Sequence, residues 1–184
     1  MSKPKIGVIV GSASQSSINL QLAQGLMKLA AAEADFERID LAPLPLYCRD
    51  DDAAYPQVFE QFKQQLRRQD GILFVTPEQN RSMPALLKNA LDAGSRPYGT
   101  SAWVGMPAAV IGTSPGGPAT SMAQQHLRNV LAFLDMPTMG QPEGFIRWSD
   151  GLVDAQGNIG QASHDFLVKY MSRLVDWVKR HPKA

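Results

Sequence analysis

Apolar positions along this chain change period in a regular alternation. Ile6-Gly7-Val8-Ile9-Val10 is nearly continuous and rich in β-branched residues, which predicts a strand over about residues 4–10. Leu20, Ala23, Leu26 or Met27, Ala30 and Ala31 then recur at helical spacing, predicting a helix over 17–33. Phe36 to Leu41 alternates and predicts a second strand. Val58, Phe59, Phe62 and Leu66 share one face of a helix opened by Pro56 and running to Arg68. Gly71-Ile72-Leu73-Phe74-Val75 is a third, fully apolar strand. A helix follows from Pro84 to Ala93, with Gly94 as its expected terminator. Pro107 to Gly112 is the fourth strand. The next helix runs to about Leu134, with Met122, Leu127, Val130, Leu131 and Leu134 expected in the core. A short fifth strand is placed at Thr138-Met139-Gly140, and 141–160 reads as irregular. The closing helix spans 163–180, with Ser163 as N-cap and Phe166, Tyr170, Met171, Leu174 and Trp177 facing inward.

Strands alternating with helices predict a parallel sheet covered on both faces. No repeat, linker or low-complexity segment divides the chain, so residues 1–184 are expected to form one domain. At 184 residues and 44% hydrophobic content, the chain can bury a large core without staples.

Composition narrows the function classes. The formal net charge is +1 with 19% charged residues, and no basic patch of the kind nucleic-acid binders carry is present. Arg67-Arg68 and Lys179-Arg180 read as solvated helix faces. The single cysteine, Cys48, excludes an intramolecular disulfide framework and fits a reducing cytoplasm; it is expected to pack as a small hydrophobe. Met1 to Pro4 leads straight into a strand pattern, with no signal-peptide pattern and no run long enough to span a bilayer. Asp50-Asp51-Asp52 lacks the spacing of a calcium loop and reads as a solvated loop. His126, His164 and His181 are too scattered for a metal site.

Chemistry concentrates where strands end. The first strand runs into Gly11-Ser12-Ala13-Ser14-Gln15-Ser16-Ser17-Ile18-Asn19, which offers hydroxyls, an amide and backbone N–H groups at a helix start. Such a set suits a phosphate, held by neutral hydrogen bonds and the helix dipole. It lacks the lysine of a P-loop and the G-x-G-x-x-G dinucleotide fingerprint, so a monophosphate is the better fit. The third strand runs into Thr76-Pro77-Glu78-Gln79-Asn80-Arg81-Ser82-Met83-Pro84, a polar loop stiffened by two prolines. The fourth runs into Ser114-Pro115-Gly116-Gly117, whose glycines let backbone approach a flat ring. Three unusual loops at one sheet edge point to a mononucleotide pocket.

These residues carry a resemblance. Gly11-Ser12 through Ser17-x-Asn19, Pro43-Leu44-Pro45-Leu46-Tyr47 with Asp50, Thr76-Pro77-Glu78-x-Asn80 through Pro84-x-x-Leu87-Lys88-Asn89-Ala90-Leu91-Asp92, and Ser95-Arg96 resemble the NADPH-dependent FMN reductases and quinone reductases of the flavodoxin-like superfamily, over nearly the whole chain. The resemblance implies a flavodoxin-like three-layer α/β sandwich with a five-stranded parallel sheet in order 2-1-3-4-5. It implies FMN as cofactor, with its phosphate on Ser12, Ser14, Ser17 and Asn19. Pro77, Glu78, Gln79, Asn80 and Arg81 would run beside the isoalloxazine ring, and Ser114, Pro115, Gly116 and Gly117 would lie at its pyrimidine end.

It further implies NADPH or NADH as hydride donor and ping-pong transfer to a quinone, or to an azo, nitro or metal-oxyanion acceptor. No side chain is assigned to catalysis, because the cofactor carries the chemistry. A homodimer or homotetramer is implied, without nucleic-acid or membrane partners. Members commonly have an arginine where this chain has Ser14, a tyrosine at Gln79 and an aromatic at Ala93. An electron-carrying flavodoxin or a non-catalytic flavin-binding protein stays open as an alternative. Trp103 is open between roofing a neighbouring subunit's pocket and plain loop packing; Trp148 and Trp177 are expected in the core.

Overall fold

A computed structural model describes residues 2–183. Five strands, β1 (Lys5–Val10), β2 (Asp35–Ile39), β3 (Gly71–Val75), β4 (Ala108–Ser114) and β5 (Gly144–Arg147), form one parallel sheet in the order β2-β1-β3-β4-β5. Five α-helices alternate with them: α1 (Ile18–Leu29), α2 (Gln57–Arg67), α3 (Ala85–Gly94), α4 (Ser121–Phe133) and α5 (Gln161–Arg180). The two-residue strand period sorts the core into two layers. Ile6, Val8, Leu73, Val75, Ala109 and Ile111 pack under α1 and α5. Ile9, Ile72, Phe74, Ala108 and Val110 pack under α2, α3 and α4. This is the flavodoxin-like three-layer sandwich, and both covered faces explain the continuous apolar runs of β1, β3 and β4. The strand order reverses between β1 and β3, so the carboxyl ends of these strands open a crevice there.

Several expectations change. The fifth strand is Gly144–Arg147, inside the stretch read as irregular. Thr138 makes only an isolated bridge to Ala108, and regular pairing along β4 resumes where Gly144 lies opposite Ile111. A Cβ at Gly144 would lie 2.6 Å from Ile111 Cγ1, so the strand begins on a residue that weakens its sequence signal. Helix α1 ends at Leu29 and closes in turns, short of residue 33. Gly94 is the last residue of α3 rather than its stop: a Cβ there would meet the Trp103 indole 2.5 Å away. Trp103 is fully buried, its Nε1–H donating to Leu91 O at 3.0 Å, so loop packing is its role.

Helix α5 is capped by Gly160 with no side-chain bond, not by Ser163. Phe166 and Met122 are exposed, Val130, Trp148 and Trp177 half-buried. The four helical ones sit at the margin of an apolar face, where spacing alone cannot separate rim from core, and Trp148 lies in the chain just past β5. Asp50 to Asp52 belong to a 3₁₀ turn, Arg49–Ala54. Cys48 is exposed, because the proline-stiffened segment before it runs along the surface, fastened by Asn89 to Pro45 O and Tyr47 N at 2.8 Å each.

Candidate functional site

At the end of β1 the Gly11 N–H donates to Val75 O at 2.9 Å, after which the chain leaves the sheet. Ser17 is the N-cap of α1: its Oγ accepts from the Leu20 N–H at 3.3 Å and its carbonyl from the Gln21 N–H at 3.1 Å. The N–H groups of Ile18 and Asn19 have no acceptor among the described residues. Two donors at the positive end of a helix dipole therefore point into the crevice. Ser12 Oγ accepts from the Ser14 N–H at 3.3 Å, and the Ser14 and Ser16 hydroxyls lie 3.2 Å apart. The Asn19 amide is fully buried and both its ends serve Thr113: Nδ2 donates to the Thr113 carbonyl and Oδ1 accepts its N–H, each at 2.9 Å. Asn19 thus fastens the first turn of α1 to the end of β4.

The loop after β3 is organised by Glu78. Its side chain is only 7% exposed, and its Oε2 accepts from the Met122 and Ala123 N–H groups at 3.0 and 3.1 Å. The carboxylate therefore caps α4, whose own Thr120 makes no side-chain cap bond. Its Oε1 accepts from Arg81 at 3.2 Å. Gln79 and Ser82 exchange backbone bonds at 3.0 and 2.9 Å around Asn80 and Arg81, both at positive φ (50° and 64°). That is a type I′ turn, which asparagine tolerates well. Gln79, Asn80 and Arg81 stand exposed at its tip.

One cleft of about 310 Å³ gathers Ser12, Ser17, Asn19, Pro77, Glu78, Ser114 and Pro115, together with Ser16, Ile18 and Thr113. Gln79, Asn80, Arg81, Gly116 and Gly117 flank this cleft without lining it, and Ser14 lines an adjoining recess of about 200 Å³. Sequence reasoning missed Thr113. Its signal was a hydroxyl at the carboxyl end of an otherwise apolar strand. The Thr113 Oγ1 is buried and has no hydrogen-bond partner among the described residues, while lining the cleft. At the third loop the Gly116 N–H donates to Ser114 Oγ at 3.3 Å. A Cβ at Gly117 would meet nothing within 4 Å, and neither Gly116 nor Gly117 has positive φ. Neither packing nor backbone conformation demands glycine at 117, and the space beside it is open.

A free helix N-terminus, an orphaned hydroxyl and a glycine edge at the switch point suit a phosphorylated flat-ring ligand. The family model for NADPH-dependent FMN reductase matches residues 4–148. The chain belongs to the NADPH-dependent FMN reductase family. It is an oxidoreductase whose cofactors are FMN and NAD(P)H. A 2-hydroxy-1,4-benzoquinone reductase from a Burkholderia species is 48% identical over 176 residues, covering 95% of this chain and 96% of the relative. A quinone reductase from Pseudomonas putida is 42% identical over 175 residues, covering 95% and 94%. Among solved structures, the flavoenzyme NAD(P)H:(acceptor) oxidoreductase FerB from Paracoccus denitrificans superposes with a TM-score of 0.93 at 37% identity, covering 97% of this chain and 99% of that one. Among the described residues no helix is long and apolar enough to cross a membrane.

Proposed function

We propose that this single-domain chain is a quinone reductase that passes a hydride from NADPH or NADH through FMN to a quinone in two separate half-reactions. The observation that carries the reading is the pair of free N–H groups on Ile18 and Asn19 at the start of α1, facing Ser114 and Pro115 of the third loop across one cleft. FMN, when bound, supplies the hydride chemistry.

The residues of the chain bind and orient. The Ile18 and Asn19 N–H groups, with the Ser12 and Ser17 hydroxyls, would hold the phosphate. Thr113 Oγ1 offers an unused partner to the polar chain between phosphate and ring. Pro77 and Pro115 form stiff apolar walls, and the backbone at Gly116 and Gly117 would present N–H groups to the ring edge. Glu78 keeps its negative charge on α4, directing no carboxylate at the ring. Donor and acceptor taking the same part of the cleft in turn would give ping-pong kinetics. Azo, nitro and metal-oxyanion compounds belong to the same acceptor range.

The assembled form in this reading is a homodimer or homotetramer in the cytoplasm. Tyr98 and Phe133, 91% and 89% exposed, are apolar side chains that a second copy would cover.

Anaerobic mixing tests the reading. NADPH added to the FMN-loaded protein should bleach the oxidised flavin absorbance, and a quinone added afterwards should restore it. Bound flavin that neither NADPH nor NADH bleaches would overturn the reading in favour of an electron carrier.

A further inference from the structure

A second recess adjoins the cleft, and Ser12 lines both. It lies over the carboxyl ends of β1 and β2, with a volume of about 200 Å³. Its apolar floor includes Leu20, Leu41 and Leu86, while Ser14, Gln15, Arg38 and Asp40 bring polar groups to it. The Arg38 side chain makes no ion pair and no hydrogen bond among the described residues, although Asp40 is two positions away. Asp40 is held in place by its Oδ1, which accepts from the Ala42 N–H at 3.1 Å; its Oδ2 is unengaged. The recess thus offers one free guanidinium, one oriented carboxylate oxygen and an apolar floor, in about 200 Å³.

That combination suits part of a nucleotide by its chemistry. An unengaged carboxylate oxygen accepts from a ribose hydroxyl, and an unengaged guanidinium pairs with a ribose phosphate. A planar guanidinium matches a phosphate dianion through paired N–H donors.

We propose that this recess binds the adenosine end of the nicotinamide nucleotide, with Arg38 on the 2′-phosphate and Asp40 Oδ2 on the 3′-hydroxyl. The inference rests on the reductase reading, and it makes Arg38 the residue that selects NADPH over NADH. Leu20, Leu41 and Leu86 pack against the base. Ser14 and Gln15 complete the phosphate's hydrogen bonds at the rim. Because Ser12 belongs to both walls, donor and flavin would share one continuous trough.

Calorimetry on the FMN-loaded protein tests this without turnover, with adenosine 2′,5′-bisphosphate and AMP as probes. The bisphosphate should bind roughly 10- to 100-fold more tightly than AMP, the size of a hydrogen bond to a charged group. Arg38→Gln should erase that difference and leave AMP binding and FMN retention as they are. Asp40→Asn should weaken both probes by a similar factor. Arg38 is exposed on the edge strand β2, so its replacement leaves the fold intact.

Equal affinity of the two probes for the unaltered protein would overturn the proposal, as would a preference that survives Arg38→Gln. So would release of FMN from Arg38→Gln protein, which would place the guanidinium on the flavin phosphate instead. Failure of NADPH to bleach the flavin would instead strike the reductase reading, and the two failures are separately read.

Discussion

Helices α1 and α4 both begin beyond a sheet strand, α1 lining the cleft with Ile18 and Asn19 and α4 joined to it through Glu78, yet their N-termini are in opposite electrical states. At α1 only Ser17 serves as cap, and the Ile18 and Asn19 N–H groups stay free. At α4 the corresponding donors are occupied, the Ser121 N–H by the Pro118 carbonyl at 3.1 Å and the Met122 N–H, with that of Ala123 beside it, by the nearly buried carboxylate of Glu78. One helix keeps its positive end for an external anion; the other is neutralised from within. The cleft is therefore polarised, with anion affinity at the β1 side and a neutral, glycine-edged rim at the β4 side. A ligand with a phosphate at one end and a flat uncharged ring at the other is oriented by that difference alone.

The largest effect should come from Gly112, which joins the two junctions underneath. A Cβ there would overlap the Thr76 carbonyl and lie 2.6 Å from Thr120 Oγ1. Backbone cannot yield as a side-chain tip can, so Gly112→Ala should cost about 3 kcal/mol, at the upper end of overpacking. Urea unfolding measures it; a midpoint equal to that of the unaltered protein would mean that β3 and α4 separate freely.

Glu78→Ala comes next, with an expected loss of about 2 kcal/mol from two charge-assisted cap bonds. It should also make α4 resemble α1. Added sulfate should then raise the unfolding midpoint of the variant more than that of the unaltered protein. An unchanged sulfate response would show that the α4 terminus has no room for an external anion, whatever caps it.

The comparison is sharpened from the other side by Ser14→Arg. Ser14 is exposed on the loop before α1, so a guanidinium fits there without displacing core. A new charge-assisted contact to a phosphate should tighten FMN roughly tenfold. Fluorescence titration of the apoprotein reads it. Unchanged affinity would mean that position 14 faces only the adjoining recess, of which it is a wall.

What could be read in advance follows from how local each cause is. Strand β3 was legible to the residue, because Gly71 to Val75 is apolar without interruption and buried on both faces. The three loops could be located, since serine, proline and glycine signatures are local. The partners inside them were not legible. Glu78 finds its donors on Met122 and Ala123, 44 and 45 positions away, and Asn19 finds Thr113 at 94. The local sequence marks Glu78 as a loop acid, and the resemblance implies a place beside a ring; only the fold reveals it as a helix cap. Strand β5 was misplaced for a related reason. Four residues opened by a glycine carry little period, and the register along β4 that selects them is a tertiary fact.

The smallest effect on stability, and the most selective on the cleft, belongs to Gly117→Ala. The added methyl meets no protein atom within 4 Å and the backbone there is not left-handed, so the unfolding midpoint should move by less than about 0.5 kcal/mol. The same methyl would stand where the ring edge must approach the backbone. FMN affinity should fall several-fold while the free N–H groups of α1 are untouched, so inorganic phosphate should bind the variant as it binds the unaltered protein. Loss of FMN and phosphate affinity together would mean that the two ends of the cleft are coupled through the Asn19–Thr113 clasp. Full retention of FMN would place the ring elsewhere, and the glycines would then be only a turn.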